Sequence, residues 1–173
     1  MKILLDEDGI RRSITRISYE IIERNKTVDN IVLVGIKSRG DILAERIKQK
    51  LRELENIDVP LETLDITYYR DDIDRKNFEL DIKDIEFKTN LTGKIVVIVD
   101  DVLYTGRTIR AGLDAILSKS RPAKIQLACL IDRGHRELPI RADFIGKNIP
   151  TSHSENIEVY LKELDGKEEV VIL

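Results

Sequence analysis

Two adjacent carboxylates, Asp100 and Asp101, stand directly after four β-branched apolar residues, Val96, Val97, Ile98 and Val99, and before Val102-Leu103-Tyr104-Thr105-Gly106-Arg107-Thr108. An unbroken β-branched run reads as a strand buried on both faces, as at the centre of a parallel sheet. Open α/β sheets place their ligands at the carboxyl ends of such strands, where these acids fall. Ile109, Leu113, Ile116 and Leu117 then recur at helical spacing, so Thr105 to Thr108 should form the turn at a helix amino terminus. Free backbone N–H groups, threonine hydroxyls and the positive end of the helix dipole suit a phosphate. A capping threonine or a solvated aspartate alone would be ordinary; strand, paired acids and Thr-Gly-Arg-Thr in this order have no shared structural reason. The spacing matches neither a nucleotide P-loop nor a dinucleotide fingerprint.

A second turn has the same character. Ile31-Val32-Leu33-Val34-Gly35-Ile36 is another buried strand, ending in Lys37-Ser38-Arg39-Gly40 before Ile42, Leu43, Ile47 and Leu51 at helical spacing. A small, basic, glycine-containing turn at a strand's carboxyl edge points again to an anion. Two such anion-ready turns in one small sheet make an ordinary βα loop with a surface lysine and arginine a poorer account of it.

The elements that must position these turns can be read along the chain. Ile10, Ile14, Ile17 and Ile21 make the apolar stripe of a first helix, beginning near Asp8 and ending around Asn25. Its other side carries Arg12, Thr15, Arg16 and Tyr19, with Glu23 below, which by pattern is a solvated face. Leu61 to Tyr69 contains a strand in which Leu64, Ile66 and Tyr68 alternate with Asp65 and Thr67. Arg70 to Thr92 is charged and aperiodic, the signature of a lid or hairpin arm that moves over a site. Ala123 to Ile131 is a further buried strand, followed by Asp132-Arg133-Gly134-His135. Short strands are expected at Ile157 to Leu161 and Val170 to Leu173, and Asn148-Ile149-Pro150 reads as a turn. Strands alternating with helices define an α/β domain with a mainly parallel sheet. The carboxyl-terminal part is expected to return and cap the site.

Totals bound the class. The 173 residues suit one domain, and 42% hydrophobic with 35% charged residues excludes a disordered or membrane-spanning chain. With no apolar run of spanning length and no signal-peptide pattern, the expected location is cytoplasmic. Cys129, the single cysteine, lies in an apolar strand and reads as inert. His135 has no partners at metal-ligand spacing. A net charge of -3 argues against a generally basic nucleic-acid binder but leaves room for a local basic face.

Residues 97 to 109, with both acids and the Thr-Gly-Arg-Thr loop, resemble the 5-phosphoribosyl-1-diphosphate (PRPP) motif of type I phosphoribosyltransferases. The form Asp-Asp-Val-Leu-Tyr-Thr-Gly-Arg-Thr resembles more narrowly the bifunctional pyrimidine operon attenuators that also act as uracil phosphoribosyltransferases. The likeness runs nearly end to end, through Leu33-Val34-Gly35-Ile36-Lys37-Ser38-Arg39-Gly40, Tyr69-Arg70-Asp71-Asp72 and Ile131 to Asp143, and on to Ile145-Gly146-Lys147-Asn148-Ile149-Pro150-Thr151.

That resemblance implies the type I phosphoribosyltransferase fold over 1–173, with a small carboxyl-terminal hood at about 132–165 joined by part of the amino-terminal segment. It implies that Asp100 and Asp101 hold the ribose hydroxyls of PRPP with Mg2+, bound mainly through PRPP. Thr105, Gly106, Arg107 and Thr108 would hold the 5′-phosphate, and Val102, Leu103 and Tyr104 would belong to the same PRPP- and nucleotide-binding stretch. Ser38, Arg39 and Gly40 would form the diphosphate loop, with Arg70 reaching the same leaving group. Arg133 and Val159 match the uracil pocket, and no general base is assigned. The resemblance also implies that UMP or UTP strengthens binding to a hairpin in pyrimidine leader RNA, promoting termination. The basic face would belong to a homodimer or larger homo-oligomer and include Arg12, Thr15, Arg16, Tyr19, Arg24, Arg141 and Lys147. Tyr19 departs from the histidine common in relatives; it can stack or hydrogen-bond but cannot become cationic. Two readings stand beside this one: a salvage enzyme without an RNA role, and a regulator that has lost catalysis. The intact acids and threonines disfavour the second.

Overall fold

The computed structural model describes residues 1–66 and 85–173. The strand end at Thr67 to Tyr69, Arg70 and most of the expected lid lie outside these residues. Among the described residues the chain runs β1 (Lys2–Leu5), α1 (Glu7–Asn25), β2 (Ile31–Ile36), α2 (Gly40–Glu55), β3 (Leu61–Leu64), β4 (Ile95–Leu103), α3 (Arg107–Lys119), β5 (Lys124–Asp132), β6 (Phe144–Asn148), β7 (Ile157–Tyr160), α4 (Lys162–Asp165) and β8 (Glu169–Ile172).

Strands β2 to β6 form one parallel sheet in the order β3-β2-β4-β5-β6, as the alternating pattern requires. Its strands feed two separate cores because successive side chains point to opposite faces. Leu33, Val97, Val99, Ala128 and Leu130 pack beneath α1 and α2. Val32, Val34, Ile36, Val96, Ile98 and Cys129 pack beneath α3. The chain leaves β2 toward β3 and leaves β4 toward β5, in opposite directions across the sheet. The crevice between the carboxyl ends of β2 and β4 is therefore a topological switch point, the place where such sheets bind ligands.

The helix stripes follow their sequence pattern closely. All four isoleucines of α1 are buried. Its cap is Asp6, whose side chain accepts from Gly9 N at 2.8 Å, so the helix starts just ahead of the Asp8 expected from pattern. On α3 the buried stripe is Ile109, Gly112, Ala115 and Ile116, while Leu117 is exposed. Leu117 lies roughly 80° around the helix from Ile109, at the stripe's edge, and its hydrophobicity misled the pattern. Gly112 is a packing position with spare room: a Cβ there would meet Leu64 Cδ2 at 3.5 Å and Ile36 Cδ1 at 3.6 Å, ordinary contact distances. Gly112→Ala is accordingly expected to stabilise the fold by about 0.5–1 kcal/mol through helix propensity and a restricted unfolded chain. Chemical denaturation checks this through a raised midpoint at unchanged slope.

A second, antiparallel sheet has the order β1-β8-β7. It ties the first residues to the last: Lys2 is opposite Ile172, and Ile157 flanks Ile172 on the other side. The pattern anticipated β7 and β8 but neither β1 nor β6, each of which is short. Ion pairs hold this sheet to the main domain. Arg46 of α2 reaches Glu163 at 2.6 Å and also the buried Glu168, and Lys162 pairs with Glu7. Burial works against the Arg46 charge, but the hydrogen bonds it donates to both glutamates outweigh it and hold the guanidinium firmly protonated.

Candidate active site and basic face

A cleft of about 500 Å³ lies where the carboxyl ends of β2, β4 and β5 meet the start of β7. Of the expected residues, Arg39, Asp100, Asp101, Val102, Tyr104 and Thr108 line it, and Arg133 and Val159 close it from the other side. The local reasons differ from residue to residue. Asp100 and Asp101 sit within β4 itself, two residues short of its end, and each accepts the next backbone N–H: Asp101 N at 2.9 Å and Val102 N at 2.8 Å. Each pairing occupies one carboxylate oxygen and orients the other. Asp100 is buried, whereas Asp101 is partly open to the cleft.

The turn at Thr105 to Thr108 follows. Gly106 is the cap of α3 with φ 94°, a left-handed conformation that a side chain would strain. Thr105 Oγ1 accepts from Arg107 N at 3.3 Å, and α3 begins at Arg107, so the turn presents its amides at the helix end. Leu103 does not face the cleft: its side chain is buried with Val96 and Ile98 in the core under α3, although strict alternation along β4 would have set it with Val97 and Val99 on the other face, and its carbonyl accepts from Arg133 N at 3.1 Å.

On the other side, Arg39 precedes α2 and Gly40 opens it. A Cβ at Gly40 would overlap the Val99 carbonyl oxygen and stand 3.1 Å from Asp100 Cα. Only glycine lets this loop lie directly against the acid-bearing strand. Ser38 follows a cis Lys37–Ser38 peptide bond in the same loop.

Arg133 is buried and does not offer a free guanidinium to the cleft. Its nitrogens donate to Thr151 Oγ1 at 3.2 Å, Asn156 Oδ1 at 3.4 Å and Glu155 O at 2.7 Å, and the group lies 4.0 Å above the Tyr104 ring. It therefore frames the pocket, holding the 151–156 segment over Tyr104.

Sequence reasoning missed Asn156, Ile157 and Glu158 as lining residues, and also the clamp on the phosphate turn. Glu137 N and Leu138 N both donate to Thr105 O, at 3.0 and 3.2 Å. Arg136 Nη1 donates to Tyr104 O, and Arg107 Nε to Glu137 at 2.8 Å. Arg107 is thus engaged with a carboxylate as well as with the turn. No local pattern marks Glu137, which is one charged residue among several.

His135 adopts a positive φ of 61°; its Nε2 lies 2.5 Å from Thr151 O and its ring 3.9 Å from that of His153. Among the described residues no group of three or more His, Cys, Asp or Glu side chains could hold a metal. Cys129 is buried beneath the acids, and burial, with the charges of Asp100 and Asp101, pushes its thiol well up. It stays a neutral thiol, which agrees with the inert reading.

The basic-face residues gather along α1 and the edge strand β6. Arg16 donates to the carbonyls of Ile145 and Gly146, Arg24 reaches Asp143 at 3.4 Å, and Lys147 donates to Leu4 O at 3.1 Å. Arg12, Tyr19 and Arg141 are exposed, and Thr15, partly exposed, returns its hydroxyl to Arg11 O. Several of these side chains are therefore already engaged locally, a cost that any polyanion must offset.

The model of the phosphoribosyl transferase domain family matches residues 1–163. Among solved structures, hypoxanthine phosphoribosyltransferase of Trypanosoma cruzi superposes with a TM-score of 0.76 at 21% identity, covering 100% of this chain and 96% of that one. A Staphylococcus aureus hypoxanthine phosphoribosyltransferase gives 0.73 at 18%, covering 98% and 90%. At those identities the likeness concerns fold alone, and with the family match it defines a phosphoribosyltransferase of type I fold. The Bifunctional protein PyrR of Fusobacterium nucleatum is 96% identical over 173 residues, covering 100% of this chain and 98% of that protein. That of Staphylococcus saprophyticus is 54% identical over 171 residues, covering 99% and 98%. The chain belongs to the PyrR family of bifunctional phosphoribosyltransferase proteins.

Proposed function

We propose that this protein is a uridine-nucleotide-dependent RNA-binding attenuator of pyrimidine biosynthesis genes that also converts uracil and PRPP to UMP and diphosphate. The observation that carries this reading is the full-length 96% identity to a bifunctional PyrR protein, in a chain whose acids and phosphate turn are intact. The ribose of PRPP would lie over Asp100 and Asp101, its 5′-phosphate on residues 105–108 and its diphosphate beside Ser38, Arg39 and Gly40. Uracil would fill the space between Tyr104, Val159 and the backbone of 156–158. As the C1–oxygen bond to diphosphate breaks and the bond to uracil N1 forms, the ribose becomes oxocarbenium-like. The acids' charge then acts where positive charge develops.

Two carboxylates converging on one cleft are a hard-oxygen donor set that fits Mg2+. Asp100 and Asp101 would hold it, mainly through PRPP, and when bound it would supply neutralisation of diphosphate charge. Arg70 is proposed to reach the same leaving group from the lid.

RNA binding would use Arg12, Thr15, Arg16, Tyr19, Arg24, Arg141 and Lys147 in a homodimer or larger homo-oligomer, and a messenger target places the protein in the cytoplasm. No helix among the described residues is long and apolar enough to cross a membrane. The 133–138 segment that would clamp the phosphate turn leads directly to Arg141, which would give the two activities a shared route. Filter binding to a pyrimidine leader hairpin tests the proposal: UMP should tighten binding, and Arg12→Ala should weaken it by about threefold to tenfold through a lost phosphate contact. RNA affinity indifferent to both changes would leave only a salvage enzyme.

A further inference from the structure

The side chain that approaches the cleft from the diphosphate side, Arg39, is itself held from behind. Its Nη2 donates to Asp165 Oδ1 at 3.0 Å, with Oδ2 at 3.4 Å, while its Nε is buried without a partner. Among the described residues Asp165 therefore provides the hydrogen bonds that fix the guanidinium. Asp165 cannot easily swing away, since its Oδ2 also accepts Leu161 N at 2.8 Å and closes the short helix α4. That helix is anchored to α2 by the Arg46–Glu163 pair and to the start of α1 by Lys162–Glu7.

We propose that Asp165 is a positioning residue for PRPP binding, which keeps the Arg39 guanidinium on the diphosphate side of the cleft. The physical need follows from the charges present. Asp100 and Asp101 line the same cleft as Arg39. Without a carboxylate behind it, the arginine would be drawn toward those acids, covering the ribose position and neutralising charge that the sugar needs. Asp165 offers the competing pair on the far side and leaves Nη1 for an anionic oxygen. The same contact joins the two halves of the site, because α4 directly follows β7, which carries Val159 and Glu158. A wall of the base pocket and the arm on the diphosphate are thereby set as one piece.

This inference rests on the reading of Ser38-Arg39-Gly40 as the diphosphate loop. Asp165→Asn is the informative change: an asparagine oxygen can still accept Leu161 N, but the charge facing Arg39 is gone. Calorimetric titration of PRPP with Mg2+ should show affinity falling about tenfold, and the KM for PRPP should rise alongside with kcat little altered. In an Arg39→Ala background the same substitution should have no further effect on PRPP. Glu163→Gln, which cuts a neighbouring anchor of α4, should lower the melting temperature without moving PRPP affinity. Unchanged or tighter PRPP binding by Asp165→Asn overturns the inference alone, as does an equal loss in the Arg39→Ala background or with Glu163→Gln. Wild-type protein that fails to bind PRPP overturns the site reading and the inference together.

Discussion

Asp101→Asn is expected to reduce UMP formation by about a hundredfold or more, while the melting temperature moves by no more than about 2 °C. The substitution nearly conserves shape. The introduced amide oxygen can keep the acceptor that Asp101 now offers to Val102 N, so the local backbone has no reason to shift. What disappears is a negative charge on the cleft side of β4, next to the already buried Asp100. Transition-state stabilisation by a fixed charge is lost most where charge develops and water is excluded. Steady-state assays with saturating uracil and PRPP, beside a thermal melt, separate the two effects. Turnover that survives in a folded variant would remove Asp101 from the chemistry and move attention to Asp100 alone.

The second large effect is structural in origin and catalytic in consequence. Gly40→Ala is expected to destabilise the fold by about 2–4 kcal/mol and to weaken PRPP binding by at least about tenfold. The added Cβ would overlap the Val99 carbonyl oxygen, which is backbone in a central strand flanked by neighbours on both sides. Neither partner can rotate away, so the loop carrying Ser38 and Arg39 must lift from β4. That lift separates the Arg39 side of the cleft from the acids. Guanidinium denaturation reports the first effect and PRPP titration the second. The contrast with Gly112→Ala makes the cause visible: the same added methyl group on α3 meets only side chains at normal distance.

The two glycines also show what pattern reading can reach. The strand cores β2, β4 and β5 were legible because four or more apolar residues in succession satisfy a two-faced burial that few other environments require. The stripe of α1 was legible because its four isoleucines repeat every three or four residues over a long helix. Leu117 was misread since hydrophobicity alone does not say where a stripe ends. The short strands β1 and β6 were not anticipated, because each carries a single β-branched residue, whereas the equally short β7 and β8 hold two or three. Strand β1 is a strand only by virtue of β8, more than a hundred and fifty residues later.

The chemistry divides along the same line. Asp100, Asp101 and the Thr105 to Thr108 turn were visible because a strand end, two acids and a helix start are consecutive in the chain, and consecutive residues carry their geometry with them. The turn at Ser38-Arg39-Gly40 was legible as an anion site for the same reason, and the family resemblance gave it the diphosphate and added Arg133 and Val159. Tertiary structure alone decided how those pieces face one another. It turned Leu103 into the core, tied the Arg133 guanidinium to the 151–156 segment, and set Glu137 against Arg107. It also placed Asp165 behind Arg39, across 126 residues of chain. Local sequence specifies backbone conformation and which face is apolar. The partner of a charged side chain depends instead on which distant elements the packing brings within a few ångströms, and a single chain read in order does not contain that distance.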